Sequence, residues 1–244
     1  MCRMVGVVFR REVPMGTLVD LRHVSEIGKI PGQATLGHRD GWGIVSFANG
    51  SPTYIGRSSR WAYQDPSFDA ALKEVTKITP PNILIAHVRA LSVGQASLPN
   101  THPFVMDGLV LAHNGTVEGF KPMTNHKPKG ATDSELLLAR LADLMDEKKD
   151  LRASLKSLVV DDLLRLEFSA AILLVSDGNR LYGYRDYSPG KSSEYYDLRI
   201  SKGDDCVVFF QESTVKHDAE LPRLKKGELV MVDKDLNIER EMLR

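Results

Sequence analysis

The chain has 244 residues, 42% hydrophobic and 26% charged, with 32 Lys and Arg against 32 Asp and Glu. Balanced charge removes any electrostatic drive toward nucleic acid or an anionic membrane surface, and no run approaches the roughly 20 apolar residues of a membrane span. Two cysteines exclude a disulfide framework, so a cytoplasmic, reducing setting is expected.

The start, Met1-Cys2-Arg3-Met4, opens on a short apolar run, Val5 to Phe9, with no signal-peptide pattern. Trp42 to Phe47 and Thr53 to Gly56 flank Asn49-Gly50 and read as a hairpin. A short helix is expected over Asp69 to Lys77. Asn82 to Val88 and Leu109 to His113 are apolar strands, each ending in a polar cluster. The main helix is expected over Asp133 to Lys148, with Thr132 as N-cap and Glu135 completing a capping box. Leu151 to Leu166 reads as a second helix. Strands follow at Ala170 to Ser176, Arg180 to Arg185, Leu198 to Ser201, Cys206 to Gln211 and Leu229 to Asp233, the first two joined at Asp177-Gly178-Asn179. Strands in series with two adjacent helices point to sheets packed on helices, not an alternating parallel chain. With no linker and no repeat, residues 1–244 read as one domain.

Four local patterns carry chemistry. Cys2 becomes the terminal residue if Met1 is removed, and its own α-amine can then act as base for its thiol. The bland reading, a small buried hydrophobe, is favoured for Cys2 alone. Arg89 ends an apolar strand and offers a rigid cationic fork for a carboxylate, with Ser92 and Gly94 in the loop beyond. Asn114-Gly115 is a turn by composition, yet an amide beside a glycine N–H also makes an oxyanion hole. Asp133 sits in the first turn of a helix, where it suits the dipole and could also meet an ammonium.

Taken in order, Cys2, then Gly37-His38-Arg39-Asp40-Gly41-Trp42-Gly43, then Arg89-x-x-Ser92-x-Gly94, then Asn100-Thr101-His102-Pro103, then His113-Asn114-Gly115, then Thr132-Asp133-Ser134-Glu135 resemble class II glutamine amidotransferase domains, which are N-terminal nucleophile hydrolases. The resemblance covers Cys2 to about Leu138. It implies an α+β fold, a four-layer αββα sandwich. It implies Cys2 as nucleophile with its amine as base, Arg89 and Ser92 on the glutamine α-carboxylate, Asn114 and Gly115 as oxyanion hole, and Asp133 on the α-amine. Arg3-Met4 stands where many members have Gly-Ile, and Arg89-Ala90-Leu91-Ser92-Val93-Gly94 where synthase-type members have Arg-Trp-Ala-Thr-His-Gly. The short Asp40-Gly41-Trp42-Gly43 resembles the small stand-alone branch.

The expected reaction releases ammonia and glutamate from glutamine with no cofactor and no metal. A partner synthetase could receive the ammonia, and self-association is left open. Rival readings are a γ-glutamyl peptide or amide hydrolase using the same centre, a metallohydrolase on His87, His102 and His113, and a non-catalytic binding module that keeps the fold. Cys206 and Trp42 are read as packing, and Trp61 and Tyr195-Tyr196 as anchors before an acceptor surface.

Overall fold

The computed structural model describes residues 2–91, 96–217 and 219–244. In chain order the elements are β1 (Arg3–Phe9), α1 (Met15–Ile27), β2 (Trp42–Ala48), β3 (Ser51–Ser58), α2 (Pro66–Val75), β4 (Asn82–Val88), β5 (Phe104–Met106), β6 (Leu109–Val117), α3 (Asp133–Lys148), α4 (Leu151–Ser157), β7 (Phe168–Ser176), β8 (Arg180–Tyr187), β9 (Arg199–Lys202), β10 (Cys206–Phe210), β11 (Glu220–Leu221), β12 (Glu228–Asp233) and β13 (Ile238–Met242). One sheet runs β11-β9-β10-β1-β4-β2-β3 and the other β13-β12-β8-β7-β6-β5, with antiparallel neighbours throughout.

Three apolar layers glue four structural ones. Val5, Val7 and Phe9 of β1 pack outward on Leu18 and Leu21 of α1 and Phe68 of α2. Met4 and Val8 point the other way, into a layer shared with Ile172 and Leu174 of β7 and Val110 and Ala112 of β6. Leu111 and Leu173 face Leu137, Leu141 and Leu155 on α3 and α4. The result is the αββα sandwich. Central strands buried on both faces have no polar side to show, which is why they read as unbroken apolar runs.

That period of two also aims the polar residues. Asn114 shares the face of Val110 and Ala112, and Cys2 that of Met4 and Val8. They therefore meet between the sheets. His113, on the opposite face of β6, turns toward α3.

Local chemistry explains the boundaries. Asn49 and Gly50 both take positive φ, 52° and 77°, as a two-residue hairpin turn requires. α2 begins earlier than expected because Asp65 caps it, accepting from Ser67 N at 3.0 Å ahead of Pro66. α1 was not expected; Pro14 leaves it without a side-chain cap, and only Leu18, Leu21 and Val24 mark its buried face. The capping box before α3 is half formed. Thr132 Oγ1 accepts from Glu135 N at 3.2 Å, but the Glu135 carboxylate accepts from Lys129 N and Gly130 N at 2.8 and 2.6 Å, tying down the preceding loop. The second helix expected to Leu166 stops being α-helical at Ser157 and continues as a π turn, Leu158–Asp162, then a 3-10 turn, Leu163–Arg165. β6 does not end at His113; it runs through His113, Asn114 and Gly115 to Val117.

Trp42 packs wholly in the outer core, edge-on to Phe68 at 4.8 Å, and its Nε1 donates to Asp65 Oδ2 at 3.0 Å. Trp61 anchors α1 by donating to Ser25 O at 2.8 Å. Cys206 is only half-buried at the core's edge.

Burial pushes the Asp65 carboxyl up, but donors from Ser58, Ser67 and Trp42 outweigh it and hold the group at about 2. A folded value below the unfolded one gives stability that is complete above about pH 4 and lost as pH falls through about 2. Asp65→Asn should therefore cost about 2 kcal/mol near pH 7. The gap from wild type should close toward pH 2 in urea unfolding series.

Candidate active site

Cys2, Arg89, Ala90, Leu91, Asn100, His102, His113, Gly115, Thr116 and residues 131–134 line one cleft of about 440 Å³. It opens where β1 and β4 of one sheet meet β6 of the other, beside the start of α3. Cys2, Arg89, Asn114 and Asp133 come from four separate elements, and the fold gathers them here. Ser92 lies outside the described residues.

The junction is made by the nitrogen of Cys2, which donates to Asn114 Oδ1 at 2.9 Å. Both residues are buried. Cys2 Sγ makes one long contact, 3.9 Å to Ala90 O. Asn114 Nδ2 donates to Gln211 Oε1 at 3.2 Å. An amide nitrogen carries two hydrogens, so one remains.

Gly115 has φ +151°, and a Cβ there would lie 1.8 Å from Ala170 O across the β6–β7 ladder. The position admits only glycine. Next to it, His113 Nε2 lies 3.2 Å from the same Ala170 O and Nδ1 2.9 Å from Ser134 Oγ. A carbonyl only accepts, so Nε2 carries the proton and Nδ1 accepts from Ser134. The single Ser134 hydroxyl proton goes to His113 rather than to Asp133 Oδ1, 3.4 Å away. Asp133 Oδ2 accepts from Val117 N at 2.7 Å, where the β6–β7 register shifts. One carboxylate oxygen thus fixes the strand, and the other stays with the cleft.

Arg89 is 6% exposed and its Nη1 has no partner among the described residues. A buried guanidinium nitrogen left unpaired is costly, which marks it as waiting for an anion. Burial lowers the Arg89 pKa, with Cys2 and Asp40 acting against that; a guanidinium stays protonated all the same. The turn that aims it is clamped by a motif with no assigned role in the sequence. Asp40 N donates to Arg89 O at 2.9 Å and Arg89 N to Gly41 O at 2.8 Å, while Asp40 Oδ2 accepts from Leu91 N at 2.7 Å. Gly41 has φ +125°, and a Cβ would meet Ser58 O and Thr101 Oγ1 at 2.9 Å.

The three histidines do not form a metal site. His87 and His102 stack face to face, centroids 4.4 Å apart, and both ring nitrogens of His113 are engaged. Among the described residues no group of three or more His, Cys, Asp or Glu is placed to hold an ion. Burial, and then the nearby Arg89 charge, take His87 down to about 3, and His102 falls well below its usual value for the same first cause. Both are neutral floor residues.

Two neighbours were not foreseen. Gln211 follows β10 and is 97 positions from its partner Asn114. Arg3 stacks on Tyr195 at 3.9 Å, pairs with Glu212 at 2.7 Å and donates to Cys2 O at 3.1 Å. In the sequence, the second showed only as Arg3-Met4 standing where many members have Gly-Ile. Tyr195 and Tyr196 are buried anchors.

Residues 1–221 match the family model of class II glutamine amidotransferases. The chain belongs to this family. It is 31% identical over 199 residues to an uncharacterised protein of Methanocaldococcus jannaschii, covering 77% of this chain and 51% of that one. Its fold superposes on the glutamine PRPP amidotransferase of Bacillus subtilis with a TM-score of 0.66 at 17% identity, over 100% of this chain and 49% of that one. A class-II glutamine aminotransferase domain protein of Silicibacter pomeroyi gives a TM-score of 0.61 at 15% identity, with 98% of each chain covered. The chain spans about half, or less, of the length of the curated relatives it matches. Among the described residues of this amidotransferase, no helix is long and apolar enough to cross a membrane.

Gly115→Ala should lower unfolding free energy by about 3 kcal/mol, since β6 or β7 must shift to clear Ala170 O. The midpoint of chemical denaturation reads this directly; an unchanged midpoint would show that the strand can yield.

Proposed function

We propose that this domain hydrolyses the side-chain amide of glutamine with Cys2 as nucleophile. The observation that carries this reading is the contact between Cys2 N and Asn114 Oδ1, which puts thiol, base and oxyanion donor on one spot. Once Met1 is removed, the nitrogen is a primary amine with a pKa near 8. It keeps one hydrogen on Asn114 and has a lone pair for the thiol proton.

The thiolate sulfur bonds to the amide carbon and the carbonyl electrons move to oxygen. The second Nδ2 hydrogen of Asn114 and the N–H of Gly115 receive that oxyanion. The C–N bond then breaks and nitrogen takes the amine's proton, leaving as ammonia. Water, deprotonated by the same amine, cleaves the γ-glutamyl thioester to glutamate. Arg89 Nη1 pairs with the substrate α-carboxylate, assisted by Ser92, and Asp133 Oδ1 with its α-ammonium. These two charges select and orient the substrate.

We read residues 1–244 as one domain, because the three apolar layers run through a single stack. Either a partner synthetase receives the released ammonia or the hydrolysis is itself the function. The two thiols form no disulfide, and a mechanism needing a reduced Cys2 fits the cytoplasm.

Cys2→Ala should lose glutamate release by at least a thousandfold, and intact-mass measurement of active protein should show Met1 gone. Arg89→Lys should raise KM for glutamine about tenfold or more with a smaller change in kcat, since the lysine lacks the fork. Full activity in Cys2→Ala, or in protein that keeps Met1, would end this reading. Parallel assays on γ-glutamyl dipeptides separate the free amino acid from a larger γ-glutamyl amide.

A further inference from the structure

The strongest unassigned feature is a chain of buried amides behind the nucleophile. Gln211 is 4% exposed. Its Nε2 donates to Asp197 O at 3.2 Å and its Oε1 accepts from Asn114 Nδ2 at 3.2 Å. Asn114 Oδ1 in turn accepts from Cys2 N at 2.9 Å.

The Asp197 end of this chain has a fixed polarity. A backbone carbonyl can only accept, so it must face the nitrogen of Gln211. The oxygen of Gln211 then faces Asn114 and must meet a donor, which is Nδ2. That leaves Oδ1 toward Cys2 N, which carries the hydrogen. Reversing either amide would set two donors or two acceptors against each other along this buried line, at Asp197 O or at the Gln211–Asn114 contact.

The anchor is itself rigid. Arg185, buried in the core, donates to Ser193 O, Tyr196 O and Leu224 O at 2.9, 2.8 and 3.0 Å. The Asp197 carboxylate accepts from Leu198 N at 3.1 Å and Arg199 Nε at 3.0 Å. Beyond Gln211, Asp20 of α1 accepts from Ser213 Oγ at 2.6 Å, from Thr214 N at 3.0 Å and from the Thr214 hydroxyl. Gln211 is thus held from both sides.

We propose that Gln211 is a positioning residue for the reaction, selecting the one orientation of the Asn114 amide that serves base and oxyanion together. The inference rests on the proposed glutamine hydrolysis for its kinetic consequence. With Oδ1 held to the amine, the lone pair faces sulfur. With one Nδ2 hydrogen on Gln211, the other is aimed at the cleft. Without Gln211 the amide can turn over, and the amine then meets a donor in place of an acceptor.

Gln211→Met keeps length and removes both hydrogen bonds. It should lower kcat for glutamine about 10- to 100-fold, a part of what losing an oxyanion donor costs, with KM within twofold because Arg89 and Asp133 are untouched. Gln211→Glu, which keeps an acceptor opposite Nδ2, should fall between the two. A merely structural role would move the unfolding midpoint and leave kcat per folded molecule unchanged, and that result overturns the proposal.

The side-chain amide spectrum of ¹⁵N-labelled protein gives a readout independent of turnover, with the Asn114 signals assigned by their loss in Asn114→Asp. Two resolved, slowly exchanging Nδ2 protons are expected in the wild type, and their exchange should quicken in Gln211→Met. A rapidly exchanging pair in the wild type overturns the proposal even if no Gln211 variant folds. Wild-type protein that shows resolved signals but no glutamate release would sink the glutamine reading and leave the amide clamp standing.

Discussion

The hydrogen bond from Cys2 N to Asn114 Oδ1 is a polar tie between two sheets that otherwise meet through a shared apolar layer. β1 belongs to one sheet and β6 to the other, so the 2.9 Å contact between Cys2 N and Asn114 Oδ1 depends on the thickness of the apolar layer between them. Met4, Val8, Val110, Ala112, Ile172 and Leu174 set that thickness. Packed interiors do not deform smoothly. A change in side-chain volume there would move the two strands apart and cost alignment as well as stability. The inter-sheet core is therefore part of the site, although none of its residues touches the cleft.

Among the described residues, the Arg89 guanidinium keeps a buried nitrogen without a partner at the wall of the cleft. Arg89 is buried with Nη1 unpartnered, while the imidazoles beneath it are neutral because burial suppresses their protonation. Charged histidines there would compete with Arg89 for the same anion and repel it besides. Asp40 and Gly41 fix the backbone of Arg89 from a separate loop, so the guanidinium is aimed by peptide hydrogen bonds rather than by a counter-ion. On the proposed reading, a counter-ion on Nη1 would have to be displaced by the substrate carboxylate.

How much of this could be read from the chain depends on distance along it. The hairpin at Asn49-Gly50, the start of α3 at Thr132 and the strand at Asn82–Val88 are fixed by neighbours in sequence, and they appear where local rules place them. α1 does not, because its first turn has no capping side chain and its burial is decided by β1 and β4. β6 runs past His113 because Asn114 and Gly115 find ladder partners on β7, Ile172 and Ala171, which turn chemistry cannot anticipate. The site residues were legible one at a time as residue types, and as a set only through their order. What the order could not supply is the second ring: Gln211 and Asp197 come from the last quarter of the chain, where nothing in composition separates a clamp from a surface amide.

Glycine at 115 and glutamine at 211 address the same difficulty from opposite sides. An oxyanion hole needs two donors aimed at a point where, before reaction, there is no charge to aim them. The backbone donor is fixed by geometry: at φ +151° against Ala170 O, the peptide has nowhere else to go. A side-chain donor has two rotatable bonds and an amide that looks nearly the same either way round, so sterics alone cannot orient it. Polarity can, provided that the line of hydrogen bonds starts from a group that cannot change sign. Asp197 O is such a group, and it orients Gln211 and through it Asn114. On the proposed mechanism the site depends on the protonation of its own base: the same nitrogen that must yield a lone pair must also keep a hydrogen on Asn114. A primary amine can do both, and a peptide nitrogen cannot. On this arrangement, trimming the chain to begin at Cys2 supplies the base and leaves the clamp's last donor in place.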